Sequence, residues 1–167
     1  IDTEGNQVAL YPENDFSRMP VRICDNNGEP IKIHVELPGR KLYAQVWRID
    51  VGRVPLYLLD TYVPENSKQD MEITSRLYGA DQRLRIEQEI MLGIGGVRLL
   101  ERLGIKPSVY HLNEGHSAFL LLERIRQLVE KEGLSFYEAR EVVKASSVFT
   151  THTPVPAGNE RFDEALM

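Results

Sequence analysis

His111, Asn113, Glu114 and His116 form the densest run of imidazole, amide and carboxylate side chains in this sequence. Two histidines and a carboxylate are metal ligands by type, but the spacing opposes a metal. His111 and His116 straddle a strand-to-loop bend, whereas H-E-x-x-H needs both histidines on one helix face. A planar amide and a planar carboxylate each make paired hydrogen bonds, which suits sugar hydroxyls. The same Asn113 and Glu114 also suit capping of the helix that follows, and these two roles stand level. His116 fits either a cap or a hydroxyl contact. His152, flanked by Thr150, Thr151 and Thr153, is a second polar cluster. It fits a ligand site at a strand end, and fits better a loop histidine bonded to backbone. Asp81 precedes a helix whose first turn carries Arg83 and Arg85. Asp81 has the chemistry of its N-cap, and the arginines suit either an anion or sugar, or surface ion pairs, the latter favoured.

The elements that must position these groups follow from periodicity. Val21 and Ile23, then Ile31, Ile33, Val35 and Leu37, alternate with polar residues around Asp25-Asn26-Asn27-Gly28, which predicts a hairpin. Pro38-Gly39 predicts a second turn, 41–51 a further strand, and 54–59 a nearly continuous apolar strand. Residues 63–70 read as a loop. Beyond it, Ile86, Ile90, Ile94 and Val97 share a helical face across 83–102, with Gly104 and Pro107 as stops. Leu92-Gly93-Ile94-Gly95-Gly96 sits inside that helix rather than after a strand, so close packing is favoured over a phosphate cradle. A strand over 108–112 leads to a helix over 117–131 that stops at Gly133. Ser135 and Glu138 predict a capping box for the next helix, and 147–151 a final strand.

Strand, two helices, strand predicts a right-handed crossover with parallel strands. The fold expected is therefore α/β: a β-rich meander over 1–65 feeding a helix/strand sheet over 66–167, as a single partial domain. In such sheets ligands sit beyond the carboxyl ends of the strands. If the strands at 108–112 and 147–151 share a sheet, the loops 113–116 and 152–158 open on one edge.

The chain has 167 residues, 42% of them apolar and 27% charged, as in a folded domain with a core. A net charge of −5 provides no basic field, which disfavours nucleic acid and anionic membranes as partners. The single cysteine, Cys24, rules out an internal disulfide and a cysteine-based zinc site, and suits a cytoplasmic location. No run approaches the roughly 20 apolar residues of a membrane helix, and no leader pattern is present. The chain opens at Ile1 without a methionine and stops at Met167 soon after the charged run 159–164, so both ends are expected to be cuts.

Read together, several strings resemble the α-glucan (glycogen/maltodextrin) phosphorylases. They are Leu10-Tyr11-Pro12-Glu13-Asn14-Asp15, Ala44-Gln45-Val46-Trp47-Arg48, Val51-Gly52-Arg53-Val54-Pro55-Leu56-Tyr57-Leu58-Leu59-Asp60 and Val63-Pro64-Glu65-Asn66. They continue in register through Leu77-Tyr78-Gly79, Arg83-Leu84-Arg85-Ile86-Glu87-Gln88-Glu89, His111-Leu112-Asn113-Glu114-Gly115-His116-Ser117-Ala118-Phe119 and Thr150-Thr151-His152-Thr153-Pro154. Asn-Glu-Gly-His, where muscle-type enzymes have Asn-Asp-Thr-His, is similar to the shorter bacterial and archaeal branch.

The resemblance implies a piece of the N-terminal Rossmann-like domain of a GT-B glycosyltransferase. The activity implied is cleavage of a terminal α-1,4 bond by inorganic phosphate, giving glucose 1-phosphate with retained configuration, in a cleft between two domains. Substrates would be an α-1,4-glucan or maltodextrin and phosphate. Pyridoxal phosphate would serve as cofactor through its own phosphate group. Carried over residue by residue, His152 matches the histidine whose backbone carbonyl faces the reacting glucose. Asn113, Glu114 and His116 match the loop lining the bound sugars. The segment 78–83 matches a mobile gate, Arg85 an arginine just beyond it, and Asp81 and Gln82 approximate the family's Asp-Asn pair.

The cofactor's lysine and the basic phosphate cluster belong, in that family, to the second domain. Lys32, Lys41, Lys68, Lys106, Lys131 and Lys144 sit in no matching context. The resemblance therefore implies no cofactor-binding residue here, a dependence on the rest of the polypeptide, and no phosphorolysis by this piece alone. An incomplete sheet is expected to leave apolar faces or edges through which the piece would aggregate or form homo-oligomers. Two rivals remain: a nucleotide-sugar glycosyltransferase of the same architecture, and a non-catalytic carbohydrate-binding or assembly module. Trp47, Tyr57 and Tyr78 could serve the latter by stacking on sugar rings, although aromatics at strand positions favour the core.

Overall fold

The computed structural model describes residues 1, 3–6, 8, 14–76, 81–154 and 161–166. Its first half holds six strands: β1 (Arg22–Ile23), β2 (Asp25–Asn26), β3 (Glu29–Pro30), β4 (Lys32–Leu37), β5 (Arg40–Val51) and β6 (Val54–Asp60). Long β5 is the spine. On one edge it pairs antiparallel with β4, from Lys32↔Gln45 to Leu37↔Arg40, and then with β1 through Ile23↔Trp47. On the other edge it pairs with β6, from Gln45↔Asp60 to Val51↔Val54.

The turn at 25–28 forms as its residues require, with Asn27 (φ 56°) and Gly28 (φ 88°) both left-handed. The hairpin expected around it is corrected, however. Only the short β2–β3 finger closes across the turn. β1 and β4 lie end to end along β5 instead of pairing, with the Cys24 amide donating to the Val46 carbonyl.

Alternation directs one face of this sheet inward. Val35, Leu42, Ala44 and Val46 are fully buried and meet Met91 and Leu99 of the long helix below them. Each large side chain removed from water here contributes about 1.5–3 kcal/mol. Tyr57 and Leu59 of β6 join this core, while Val54, Leu56 and Leu58 stay exposed. Trp47 donates its indole N–H to Asp60 Oδ2 at 2.9 Å and stacks on Phe16. Trp47 and Tyr57 are thus framework aromatics, and Tyr78 lies outside the described residues.

The segment 63–70, read as a loop, runs into the short helix α1 (Lys68–Met71), capped by Ser67. It is pinned by Asn66, whose side chain pairs with both the amide and the carbonyl of Tyr43 at 2.9 and 2.8 Å, as a neighbouring strand would. Next come α2 (Gln82–Ile90), a π-helical stretch over Met91–Gly95 and α3 (Gly96–Arg102), continuous in helical backbone geometry. The packing reading of the glycines holds at two positions. A Cβ on Gly93 would lie 2.7 Å from the Leu120 amide nitrogen, and one on Gly95 2.9 Å from Met91 Sδ. Gly96 meets nothing within 4 Å.

The chain then forms β7 (Tyr110–Asn113), α4 (Leu120–Glu132), α5 (Phe136–Ala145) and β8 (Ser147–Thr150). α4 ends at Gly133, and α5 opens with the reciprocal Ser135–Glu138 box. β7 and β8 are parallel and in register from Tyr110↔Ser147 to Asn113↔Thr150, as the crossover requires.

One expectation is corrected here. Among the described residues the meander does not feed that sheet: β7–β8 stands apart from the antiparallel strands. Helices and charge join the two. Arg98 of α3 donates to the His34 carbonyl at 2.8 Å, to Glu36 at 2.7 Å and to Glu123 of α4 at 3.1 Å.

Candidate functional site

The parallel register of β7 and β8 fixes where the site can form. Asn113 and Thr150 are opposite one another at the last rung, so the segments that follow leave the sheet side by side. The Glu114 amide extends the ladder by one bond, donating to the Thr150 carbonyl at 2.9 Å. Its backbone then turns at φ 59°, ψ −168°, a conformation a non-glycine residue adopts only when its surroundings hold it there.

That turn sends the Glu114 side chain inward, under the neighbouring loop. The residue is 5% exposed. Oε1 accepts from the His152 amide at 2.8 Å, the Thr153 amide at 2.9 Å and the Thr153 hydroxyl at 2.9 Å. The His152 amide, followed by the Thr153 hydroxyl and amide, holds the Glu114 carboxyl down at about 2. It is an ionised group gripped by backbone dipoles.

His152 lies above this clasp with its side chain 61% exposed. Its Nε2 is 3.2 Å from Asn113 Oδ1, and its Nδ1 is 3.5 Å from Glu114 Oε1. His111 Nε2 meets the Thr150 hydroxyl at 2.7 Å, one rung earlier. Asn113, Glu114 and His152 therefore form one cluster on the strand ends, presenting an amide and an imidazole outward and burying a carboxylate.

The other candidates gather elsewhere. His116 reaches α2, with Nδ1 3.3 Å from the buried Glu89 carboxylate. Glu89, Arg85, Gln88, Arg76 and His116 line a cavity of about 400 Å³ beside α2. Arg85 and His116 thus share one chamber, with cationic, anionic and amide groups on its wall. Asp81 caps α2, its carboxylate accepting from the Arg83 amide at 3.1 Å. Arg83 pairs with Glu87 one turn on, at 3.3 Å. Gate residues 78–80 lie outside the described residues.

Sequence reasoning did not single out Glu89 or Gln88, and it placed Thr153 beside His152 without its contact to Glu114. Glu89 had a legible signal, since it falls four residues after Arg85 and so on the same helix face. The Thr153 contact had none, because its partner Glu114 is remote in sequence. Among the described residues no three potential metal ligands come together.

No protein-family model matches the chain. Individual proteins do. It is 50% identical over 163 residues to the maltodextrin phosphorylase of Thermococcus litoralis, covering 97% of this chain and 20% of that protein. It is 49% identical over 170 residues to the glycogen phosphorylase of Mycobacterium tuberculosis, with the same shares. Against the glycogen phosphorylase of Aquifex aeolicus it is 44% identical over 156 residues, 93% of this chain and 22% of the other. Nearly the whole chain is similar to one segment of these proteins, and it spans about a fifth of their length.

Proposed function

We propose that this chain is the segment of an α-1,4-glucan phosphorylase that lines the glucose side of its catalytic cleft. The whole polypeptide would transfer the terminal glucose of an α-glucan or maltodextrin to inorganic phosphate, giving α-D-glucose 1-phosphate. The observation that carries this reading is the cluster at the strand ends. Asn113 and His152 stand together on one exposed edge, within a chain 44–50% identical to phosphorylases along more than nine-tenths of its length.

Within this reading His152 is the catalytic contact, through a backbone carbonyl that stabilises positive charge developing on the sugar. Asn113 supplies an amide for sugar hydroxyls. Arg85 and His116, on the adjoining chamber, complete the substrate side, and Asp81 lies at the root of the gate. Residues 1–65 are the supporting meander and 66–167 the part bearing the site, within a Rossmann-like GT-B domain. No helix among the described residues is long and apolar enough to cross a membrane, and a cytoplasmic location is part of the proposal.

Pyridoxal phosphate belongs to the remainder of the polypeptide. The segments 111–116 and 147–154 contain no lysine, and Glu114 is already engaged by backbone. The residues here fit a neutral sugar and not the cofactor, whose phosphate group would supply the proton. The isolated segment is accordingly inactive. The exposed apolar residues Val54, Leu56 and Leu58 offer a surface for the rest of the polypeptide or a second copy.

The test is the natural full-length protein given maltodextrin and phosphate, with and without pyridoxal phosphate. Glucose 1-phosphate that depends on the cofactor, and falls on mutation of 113–116, is the expected result. A folded, cofactor-loaded protein that forms none overturns the reading and favours a sugar-nucleotide transferase.

A further inference from the structure

We propose that Glu114 is a positioning residue that aims the His152 carbonyl, by holding the peptide unit between His152 and Thr153; the inference rests on the phosphorylase reading above. The geometry is that of a planar amide. The Thr153 N–H and the His152 C=O belong to one peptide unit, and in a trans peptide they point in opposite directions. No cis peptide bond occurs among the described residues. Fixing the Thr153 amide on Glu114 Oε1 at 2.9 Å therefore turns the His152 carbonyl directly away from the carboxylate, out of the loop.

The other contacts prevent that unit from rotating. The His152 amide, from the preceding peptide, reaches the same oxygen at 2.8 Å, and the Thr153 hydroxyl reaches it at 2.9 Å. Glu114 is itself anchored by its amide on the Thr150 carbonyl. Turning the carbonyl would break the Thr153 N–H bond to an ionised acceptor while its neighbours stay fixed.

Charge adds to direction. A carboxylate at the N–H end of a peptide polarises it and raises the negative charge on the oxygen at the far end. Glu114 would thus strengthen a dipole that must meet positive charge on the sugar ring, without touching the sugar. Glutamate in this place acts on the reaction through two covalent planes rather than through its own oxygens.

The experiment uses the full-length enzyme loaded with pyridoxal phosphate. Glu114→Ala is expected to lower kcat about 100- to 1,000-fold, the range for losing one fixed dipole where charge develops. KM for maltodextrin should move less than about threefold, as it does when an interaction made in the transition state is lost. Glu114→Gln keeps an acceptor but not the charge, and should lose about tenfold, since charge-assisted bonds are roughly twice as strong as neutral ones. Calorimetry supplies a readout that a purely structural role would not move. A protonated imino sugar should lose about tenfold in affinity for Glu114→Gln, by the same reasoning, while a neutral glucose analogue binds as before.

Unchanged kcat per folded active site in both variants overturns the positioning role. So does an equal loss of affinity for the cationic and neutral sugars, which would place Glu114 on the sugar or in the framework alone. If Glu114→Ala does not fold, Glu114→Gln decides. A cofactor-loaded wild type that makes no glucose 1-phosphate overturns the phosphorylase reading itself, a result distinct from any difference between wild type and variant.

Discussion

Two buried glutamates share one chemistry and differ in the groups that meet them. Glu123 of α4, 3% exposed, is met by guanidinium groups: Arg98 of α3 at 3.1 Å and Arg126 at 2.6 Å. Burial acts to raise its carboxyl, and the hydrogen bonds from Arg126 and Arg98 outweigh that and hold it below the ordinary carboxylate range. Glu114, 5% exposed, is met at hydrogen-bond distance by backbone amides and a hydroxyl instead, with His152 Nδ1 farther off at 3.5 Å. Arginine pairs cancel a charge and tie elements together. Amides leave the charge in place and fix the direction of the peptides they belong to. The first arrangement suits a framework, and the second a site.

The sharpest way to break this contrast is to remove a cation from the framework pair. Arg98→Met takes away a partner of Glu123 and the link to Glu36 and the His34 carbonyl. Loss of one member of a buried pair costs about 3–5 kcal/mol, because the other charge stays buried. Arg126 remains on Glu123, so the lower end, about 3 kcal/mol, is expected in urea unfolding. A loss below about 1 kcal/mol, the range for surface pairs, would mean that Glu123 is solvated and the two glutamates are not comparable.

Local chemistry made much of this architecture legible and left the long-range pairings hidden. The Asn27-Gly28 turn, the Pro38-Gly39 turn and the Ser135–Glu138 box are written in adjacent residues, and each forms where its residues stand. The parallel pairing of β7 with β8 also followed, because a crossover of two helices permits little else. The partner of β1 did not follow. Alternation marks which side of a strand faces the core but not which strand lies beside it. The separation of the two sheets was hidden for the same reason. At the site, the strand-end loops were readable from topology, whereas the inward turn of Glu114 was not. Its positive φ contradicts the local preference of glutamate, and only the remote amides of His152 and Thr153 account for it.

A smaller effect sharpens the comparison along the helix between the two regions. Gly93 packs against the start of α4, where the chain has just left the Glu114 turn. A Cβ there would meet the Leu120 amide nitrogen at 2.7 Å, a backbone atom that cannot swing aside. Overpacking costs about 1–3 kcal/mol, against a helix-propensity gain of up to about 1 kcal/mol. Gly93→Ala is therefore expected to destabilise by about 1–2 kcal/mol. Gly96→Ala, with open space at its Cβ, should stabilise by up to about 1 kcal/mol. Melting temperatures that move in the same direction for both would remove the close contact as the reason for glycine at 93.

The smallest expected effect is the most specific to the site, since it depends on protons. The Glu114 carboxyl lies at about 2, against an ordinary value of 4.5, held there first by the His152 amide. A carboxyl lowered on folding contributes stability that is full above its unfolded value and is lost as pH falls through its folded value. Glu114→Gln cannot titrate. The stability difference between wild type and Glu114→Gln, followed by urea unfolding, should stay level from pH 7 to about 4.5 and shrink toward pH 2. The corresponding difference for Glu123→Gln should shrink in the same direction, because its carboxyl is also lowered. Salt separates the two. Partly exposed Arg126 on Glu123 is open to screening, whereas amide dipoles on Glu114 carry no net charge to screen. If the Glu114 difference falls with ionic strength as steeply as the Glu123 difference, its carboxylate is held by charge rather than by backbone, and the division between framework and site disappears.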